Sequence, residues 1–428
     1  MHSRLSSARL MLSRKASNHM SHQCRFCSAP LTTVVADLGS TPWSNSFLPD
    51  AGAIARERSF PLKVMVCSEC FLVQTTENVP ADEIFNADYA YLSSYSTSWL
   101  EHAKRYAEMM TNRFGLSADS TVVEVASNDG YLLQYFAAKG ISVLGVEPAA
   151  NAAKIAESRG VPTKVAFFGK EIAAALVESG VSADVAAANN VLAHVPDIAD
   201  FVSGFAILLK QDGVSTFEFP HILAMIKGIQ FDTIYHEHYS YMSLLAVERI
   251  FGACGLTVFD VEEIPTHGGS LRVFAQKAEG TRAATDRLLA LRAKEEAFGL
   301  KKMATYEQFG TQIEGVCDEF KAFLRRAKTE GKTVAGYGAA AKGNTFLNVC
   351  GVNSNDIAFV VDRSDIKQGK LLPGSHIPVY APSHIEAAKP DYLVILPWNL
   401  TDEIVNSNEY IRAWGGRFVV AIPTLQII

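Results

Sequence analysis

The sequence predicts an α/β protein in three parts: a small N-terminal module built on paired cysteines, a central Rossmann-like unit and a second Rossmann-like unit at the C-terminus. Three observations carry this reading. Two Cys-x-x-Cys pairs stand near the N-terminus, Cys24/Cys27 and Cys67/Cys70. From about residue 91 to 278, short apolar runs ended by polar or turn residues alternate with amphipathic stretches, the pattern of buried parallel strands joined by helices. After Gly331 the same strand–turn–helix pattern begins again.

The leading stretch, MHSRLSSARLMLSRKASNHM, carries Arg, Lys and Ser and no acid. That composition suits an organelle transit peptide, and equally a disordered tail ahead of a working start at Met20; the tail is the simpler reading, with residues 1–21 set apart. Residues 22–90 hold the cysteine pairs and the β-like pieces LTTVVADLG and FPLKVMVC. In residues 91–278 the strands are TVVEVA, ISVLGVEP, VAAANNVL and GVSTFEFP, with the helical runs YLLQYFAAKG and AANAAKIAESRG closed by Gly. The third part, residues 279–428, begins with two long charged helices between about 281 and 330 that would connect the α/β units. KTVAGYGAAAKGNTFLNV, IAFVVD and DYLVILPW follow.

Composition narrows the class. The chain has 428 residues, of which 48% are hydrophobic and 20% charged, which excludes a disordered or fibrous protein. A net charge of −6 argues against a nucleic-acid partner. No uncharged apolar run reaches ~18 residues, so no membrane helix is expected and the cytoplasm is the expected location. No heptad seam stands out, so a monomer is expected.

Zinc prefers four soft thiolates in a tetrahedron, and each Cys-x-x-Cys turn supplies two from one bend. Cys24, Cys27, Cys67 and Cys70 would therefore form a closed, structural zinc site. Four free thiols in a small core is the bland alternative. A redox pair fits less well, because neither motif opens a helix in a βα unit.

The central unit offers a nucleoside site. Glu124 lies near the end of the first strand, and Ser127, Asn128, Asp129 and Gly130 make the turn that follows. Glu147, before Pro148, ends the next strand 17 residues past Gly130, where a carboxylate can accept from two ribose hydroxyls. The turn lacks a full G-x-G-x-x-G and presents Asp129, which would repel a diphosphate; a cofactor with a cationic end, such as S-adenosylmethionine (SAM), fits better. An ordinary Rossmann strand with a solvated acid is the alternative. Asn189 and His194 follow the fourth strand, in the crevice where α/β sheets bind ligands.

The densest polar cluster is Ile234-Tyr235-His236-Glu237-His238-Tyr239. It lacks the i, i+4 histidines of a helical metalloprotease site. Proton transfer fits it: a Glu beside a His can fix the imidazole, and a Tyr hydroxyl can donate to a developing oxyanion. A surface loop of polar aromatics is the alternative. Tyr89 and Tyr91 precede the central unit and are placed to fold over this cluster.

Together, the two cysteine pairs, E-V-A-S-N-D-G-Y-L-L, G-V-E-P, N-N-V-L-A-H-V, F-D-T-I-Y-H-E-H-Y-S-Y and G-Y-G-A-A-A-K-G resemble the SAM-dependent sugar C-methyltransferases of deoxysugar biosynthesis, over nearly the whole chain from residue 22. The resemblance implies a zinc-binding N-terminal domain, a class I methyltransferase domain and a C-terminal Rossmann-like domain. It implies methylation at C3 of a dTDP-linked 4-keto-6-deoxysugar through an enolate. It also implies His238 as base with Glu237 orienting it, His194 and Tyr235 stabilising the enolate oxygen, and Tyr89 positioning substrate or cofactor.

The C-terminal turn has three readings, one of them a purely structural domain. Gly336-Tyr-Gly338-Ala-Ala-Ala341, with Asp362 ending the next strand, is by itself a dinucleotide fingerprint that points to NAD. The resemblance points instead to the nucleotide-sugar, with Gly338, Lys342 and Asn344, and Tyr91 and His236 from the other elements, as its contacts. An NAD-dependent oxidoreductase and a non-catalytic zinc scaffold are the competing functions.

Overall fold

A computed structural model describes residues 22–77, 80 and 92–428. Tyr89 and Tyr91 lie outside the described residues.

Strands β1 (Thr33–Thr41), β2 (Phe60–Val66) and β3 (Val73–Thr75) form an antiparallel sheet in the N-terminal module. The cysteine pairs sit on two turns of the same build. Ser28 and Phe71, each one position past its pair, take a left-handed φ of 60°, and their amides donate back to the carbonyls of Cys24 and Cys67 at 2.9 and 3.0 Å. The fourth strand comes from far along the chain: β9 (Ser240–Tyr241), the tail of the Tyr-His-Glu-His element, pairs antiparallel with β3.

The central sheet has seven strands. β4 (Thr121–Val125), β5 (Ser142–Val146), β6 (Thr163–Lys164), β7 (Ala183–Asn189) and β8 (Leu209–Pro220) run parallel in the order β6-β5-β4-β7-β8. An antiparallel pair, β10 (Leu256–Ile264) and β11 (Ser270–Lys277), closes the β8 edge. Strand order reverses between β4 and β7, so the crevice at their carboxyl ends is a ligand site by topology. The C-terminal sheet repeats the design. β12 (Val334–Tyr337), β13 (Val360–Val361), β14 (Val379–Tyr380), β15 (Tyr392–Ile395) and β16 (Arg417–Val420) run parallel in the order β14-β13-β12-β15-β16, with β17 (Gln426–Ile427) antiparallel at the edge. Its reversal lies between β12 and β15. The α/β architecture expected from the strand–helix alternation is the one found.

The two charged helices do more than connect. In the helix Asp286–Phe298, the buried Glu295 accepts from the Leu244 and Leu245 amides at 2.7 and 2.8 Å and from His221 Nε2 at 2.7 Å, capping a helix of the central unit. The helix Met303–Thr329 packs Phe309, Ile313, Val316 and Phe320 into one core with Val35, Leu38 and Leu62 of the N-terminal sheet and Val360 and Val394 of the C-terminal sheet. A second core joins Cys67, Cys70 and Leu72 to Leu244, Val247 and Phe251. The N-terminal module is thereby wedged against both Rossmann-like units. Cys317 and Cys350, far apart in sequence, meet in the first core with their sulfurs 3.2 Å apart. Among the described residues no helix is long and apolar enough to cross a membrane.

Candidate functional site

The four cysteines converge. All four sulfurs lie within 4.8 Å of one another, with Cys24–Cys70 and Cys27–Cys67 at 3.5 Å. A tetrahedron with Zn–S of about 2.3 Å needs sulfurs only slightly farther apart, so the donor set fits zinc. Gln74 Nε2 donates to Cys24 Sγ at 3.2 Å, the kind of outer contact that fixes a thiolate ligand.

At the central switch point, the turn after β4 is tight because three residues take left-handed φ: Ala126 (57°), Asn128 (49°) and Gly130 (77°). A Cβ on Gly130 would press on Ala156 and Val161 at 3.2 Å, so glycine lets the helix Ala150–Ser158 lie against the turn. Glu147 accepts from the Asn128 amide at 2.9 Å and the Ala149 amide at 2.8 Å, bracing the turn from the second strand tip, beside the half-buried Pro148. Burial pushes its carboxyl up, and these two amides oppose the shift. The Tyr131 hydroxyl lies against both Glu124 and Asn189, yet their oxygens lack a well-formed partner, as does Ser127 Oγ. Buried polar atoms left open at a switch point fit a polar ligand such as the amino-acid end of SAM. Asp129 Oδ2 pairs with Arg159 at 3.1 Å and accepts from Ser94, so the charge is partly compensated, while the buried Oδ1 has no partner.

Glu147→Gln keeps the shape but turns a donor toward one of two backbone donors. Losing charged hydrogen bonds of roughly 1.5–3 kcal/mol should weaken S-adenosylhomocysteine about 10- to 100-fold by calorimetry. An unchanged affinity would remove Glu147 from the cofactor site.

The segment from Phe231 to Tyr241 runs between the two switch points. His238 is buried; its Nδ1–H donates to the Thr233 carbonyl at 2.9 Å, which leaves the lone pair on Nε2. His194 Nδ1 is 2.8 Å from the Glu237 carbonyl, its ring centre 4.7 Å from that of His238, and the Tyr235 ring is 4.0 Å from His238. His238, His194 and Tyr235 are thus brought together as expected. The expected role of Glu237 is corrected. Its carboxylate does not orient His238, because the Thr233 carbonyl holds that ring; Glu237 Oε1 accepts instead from Asn45 Nδ2 at 2.7 Å. His236 also points elsewhere. His236 and Glu237 form a tight turn, closed by the His238 amide on the Tyr235 carbonyl at 2.9 Å, and His236 lies against the N-terminal sheet, where Nε2 donates to the Phe60 and Pro61 carbonyls at 3.2 and 3.1 Å.

From the C-terminal side, Lys342 reaches the same segment. Its buried ammonium donates to the His267 carbonyl at 3.3 Å and lies 5.1 Å from the centre of the Trp398 ring. Trp398, just past β15, donates from Nε1 to Asp232 Oδ2 at 2.8 Å. No carboxylate among the described residues lies within ion-pair distance of Lys342. Gly338 holds φ at 93° with Pro397 where a Cβ would go, and so shapes the turn rather than offering a side chain. Asn344 does not face this crevice; its Nδ2 donates to the Ser44 carbonyl, because that face of its helix is buried against the N-terminal module. Asp362 accepts from the Ala339 and Ser364 amides at 2.7 and 2.8 Å.

Asp232, Thr233, His267, Trp398 and Asn45 were not singled out in the sequence. Asp232 and Thr233 sit inside the F-D-T-I-Y-H-E-H block, a signal that was present; the others carry none that spacing reveals.

Burial holds His194 and His267 down to about 4 and His238 well below the ordinary histidine range, with Lys342 adding to the effect on His238 and His267. Each of these rings binds a proton in the unfolded chain below about pH 6.5 but not in the folded one. Their stabilising effect is complete above 6.5 and falls as pH drops toward 4. His267→Asn isolates one such group, and Asn tolerates its left-handed φ of 56°. Relative to wild type, the variant should gain roughly 2 kcal/mol between pH 7 and pH 5 in urea unfolding. A pH-independent difference would contradict the assignment.

Three family models tile the chain: a zinc binding domain over residues 24–85, a methyltransferase domain over 99–261 and a C-methyltransferase C-terminal domain over 265–423. The C-methyltransferase NovU of Streptomyces niveus is 36% identical over 406 residues, which covers 95% of this chain and 96% of that protein. Among solved structures, magnesium protoporphyrin IX methyltransferase of Synechocystis PCC 6803 with bound SAM is 14% identical, covering 42% of this chain and 79% of that one, with a TM-score of 0.32. The 1,6-didemethyltoxoflavin-N1-methyltransferase of Burkholderia thailandensis is 18% identical, covering 49% and 96%, with a TM-score of 0.35. The near full-length match to NovU and the three models decide the matter: this chain belongs to the zinc-binding, SAM-dependent C-methyltransferase family.

Proposed function

We propose that this enzyme methylates C3 of a dTDP-linked 4-keto-6-deoxysugar by way of an enolate. The observation that carries the reading is the placement of His238. Its Nε2 is the basic nitrogen, its ring is fixed by Thr233, and it packs against Tyr235 and against His194 just past β7. The cofactor takes the β4/β7 crevice and the nucleotide-sugar the β12/β15 crevice. The ketone at C4 acidifies the C3 proton; His238 Nε2 takes that proton, and the electron pair moves onto the C4 oxygen. Tyr235 flanks His238 and acts on the oxygen as a hydrogen-bond donor, with the Lys342 ammonium adding charge from the other side; His194, which the resemblance gives the same role, spends its one N–H on the Glu237 carbonyl and packs against the His238 ring instead. When bound, SAM supplies the electrophilic methyl group that C3 takes up, leaving S-adenosylhomocysteine. Burial keeps His238 neutral at pH 7, the form in which it can accept a proton.

An NAD-dependent reaction is less well supported. The chain matches a C-methyltransferase over nearly its full length, and a C-methyltransferase C-terminal domain over residues 265–423, where the dinucleotide fingerprint lies. The test is incubation with dTDP-4-keto-6-deoxyglucose and SAM labelled in its methyl carbon. NMR should place the label on C3. Methyl transfer to oxygen or nitrogen, or calorimetric binding of NAD with no binding of S-adenosylhomocysteine, would overturn the reading.

A further inference from the structure

The loop after β1 joins three parts of the molecule. Trp43 stacks on Phe60 with ring centres 5.3 Å apart, and the edge of Phe60 meets His236 at 6.1 Å. The Ser44 carbonyl accepts from Asn344, and Ser44 Oγ lies 3.3 Å from Thr345 Oγ1, both on the C-terminal helix Ala341–Val349. Asn45 reaches the third part, donating to Glu237 Oε1 at 2.7 Å.

That contact is singular. No cation among the described residues lies within ion-pair distance of Glu237. The titratable groups around it are His194, which bonds its carbonyl, and the adjacent rings of His236 and His238. Burial pushes the Glu237 carboxyl up, and Asn45 alone is resolved as opposing that shift. A half-buried carboxylate with one donor on one oxygen keeps its other oxygen for a ligand.

We propose that Asn45, carried by the zinc-bearing module, is a positioning residue of the active site, fixing the Glu237 carboxylate so that Oε2 receives a hydroxyl of the sugar substrate. This rests on the reading of the Tyr-His-Glu-His segment as the reaction site. It gives the N-terminal module a part in catalysis that its zinc does not supply.

The test uses the full-length, zinc-loaded chain as wild type, Asn45→Ala, Asn45→Asp and Glu237→Gln. Zinc content and S-adenosylhomocysteine affinity should match in all four, which shows that the fold is retained. Asn45→Ala should lower kcat/KM for dTDP-4-keto-6-deoxyglucose about 10- to 100-fold, chiefly through KM, since a misplaced contact of about 1 Å has effects of that order. Asn45→Asp sets two carboxyls at hydrogen-bond distance, where they cannot both ionise. The acid limb of its rate profile should move up by at least about one pH unit. The same shift should be visible without substrate, as the infrared carboxyl band that disappears in Glu237→Gln. Wild-type kcat/KM in Asn45→Ala together with an unmoved band in Asn45→Asp would overturn the proposal. If Glu237→Gln keeps full activity, the reading of the site fails instead, and the infrared titration still decides whether Asn45 governs Glu237.

Discussion

Replacing His238 with Asn is expected to lower methyl-transfer turnover by roughly 10²- to 10⁴-fold, the range that a positioned general base contributes. The substitution is chosen for its geometry. Asn Nδ2 can take the place of the imidazole Nδ1 and keep the bond to the Thr233 carbonyl, so the segment retains its anchor. What it removes is Nε2. Cofactor affinity should be unchanged, because Glu147 and the turn after β4 are braced by contacts of their own. The pH profile supplies a second signature. Burial disfavours the imidazolium, so the wild-type acid limb of kcat/KM should lie below the usual histidine range. Turnover in His238→Asn within twofold of wild type would dismiss His238 as the base.

Zinc removal is the second large effect. Structural zinc sites of this kind contribute apparent binding energies of about 10–16 kcal/mol in isolated fingers, and that energy is folding energy. Here the four-thiol site does not stand apart. Cys67, Cys70 and Leu72 share a core with Leu244 and Val247, and β3 pairs with β9, the end of the Tyr-His-Glu-His segment. Cys67→Ser should therefore abolish stoichiometric zinc and lower the melting temperature by roughly 10 °C or more, since each kcal/mol is worth a few degrees in a chain of this size. It should also remove turnover. Elemental analysis, calorimetry and the methyl-transfer assay check the three outcomes. A zinc-free variant with wild-type melting and activity would leave the thiol cluster without a structural role.

Much of this was legible in the sequence, for physical reasons that can be named. Buried parallel strands need continuous apolar runs, so TVVEVA and ISVLGVEP declared β4 and β5, and the closing glycines declared helix ends. The cysteine spacing encoded a local geometry, a knuckle closed by a left-handed residue, and both knuckles have it. What sequence could not show was long-range. β9 pairs with a strand more than a hundred residues earlier, and two residues of polar and aromatic type give no periodic signal. Asn45 meets Glu237 across 192 positions, and nothing local to either marks the pair. The role of Glu237 was misassigned because adjacency in sequence suggested contact with His238, whereas a main-chain carbonyl five residues upstream holds that ring. Asp129 shows the same limit: its charge was visible, its partner Arg159 was not.

The central claim is that His238 removes the C3 proton of a ketosugar. The most direct measurement is solvent-deuterium incorporation at C3 of dTDP-4-keto-6-deoxyglucose, followed by NMR in the presence of S-adenosylhomocysteine so that methyl transfer cannot consume the enolate. Wild-type enzyme should exchange the C3 proton well above the uncatalysed rate, and His238→Asn should not. Exchange that persists undiminished in the variant, or no exchange by an enzyme that methylates the same sugar, would contradict the account.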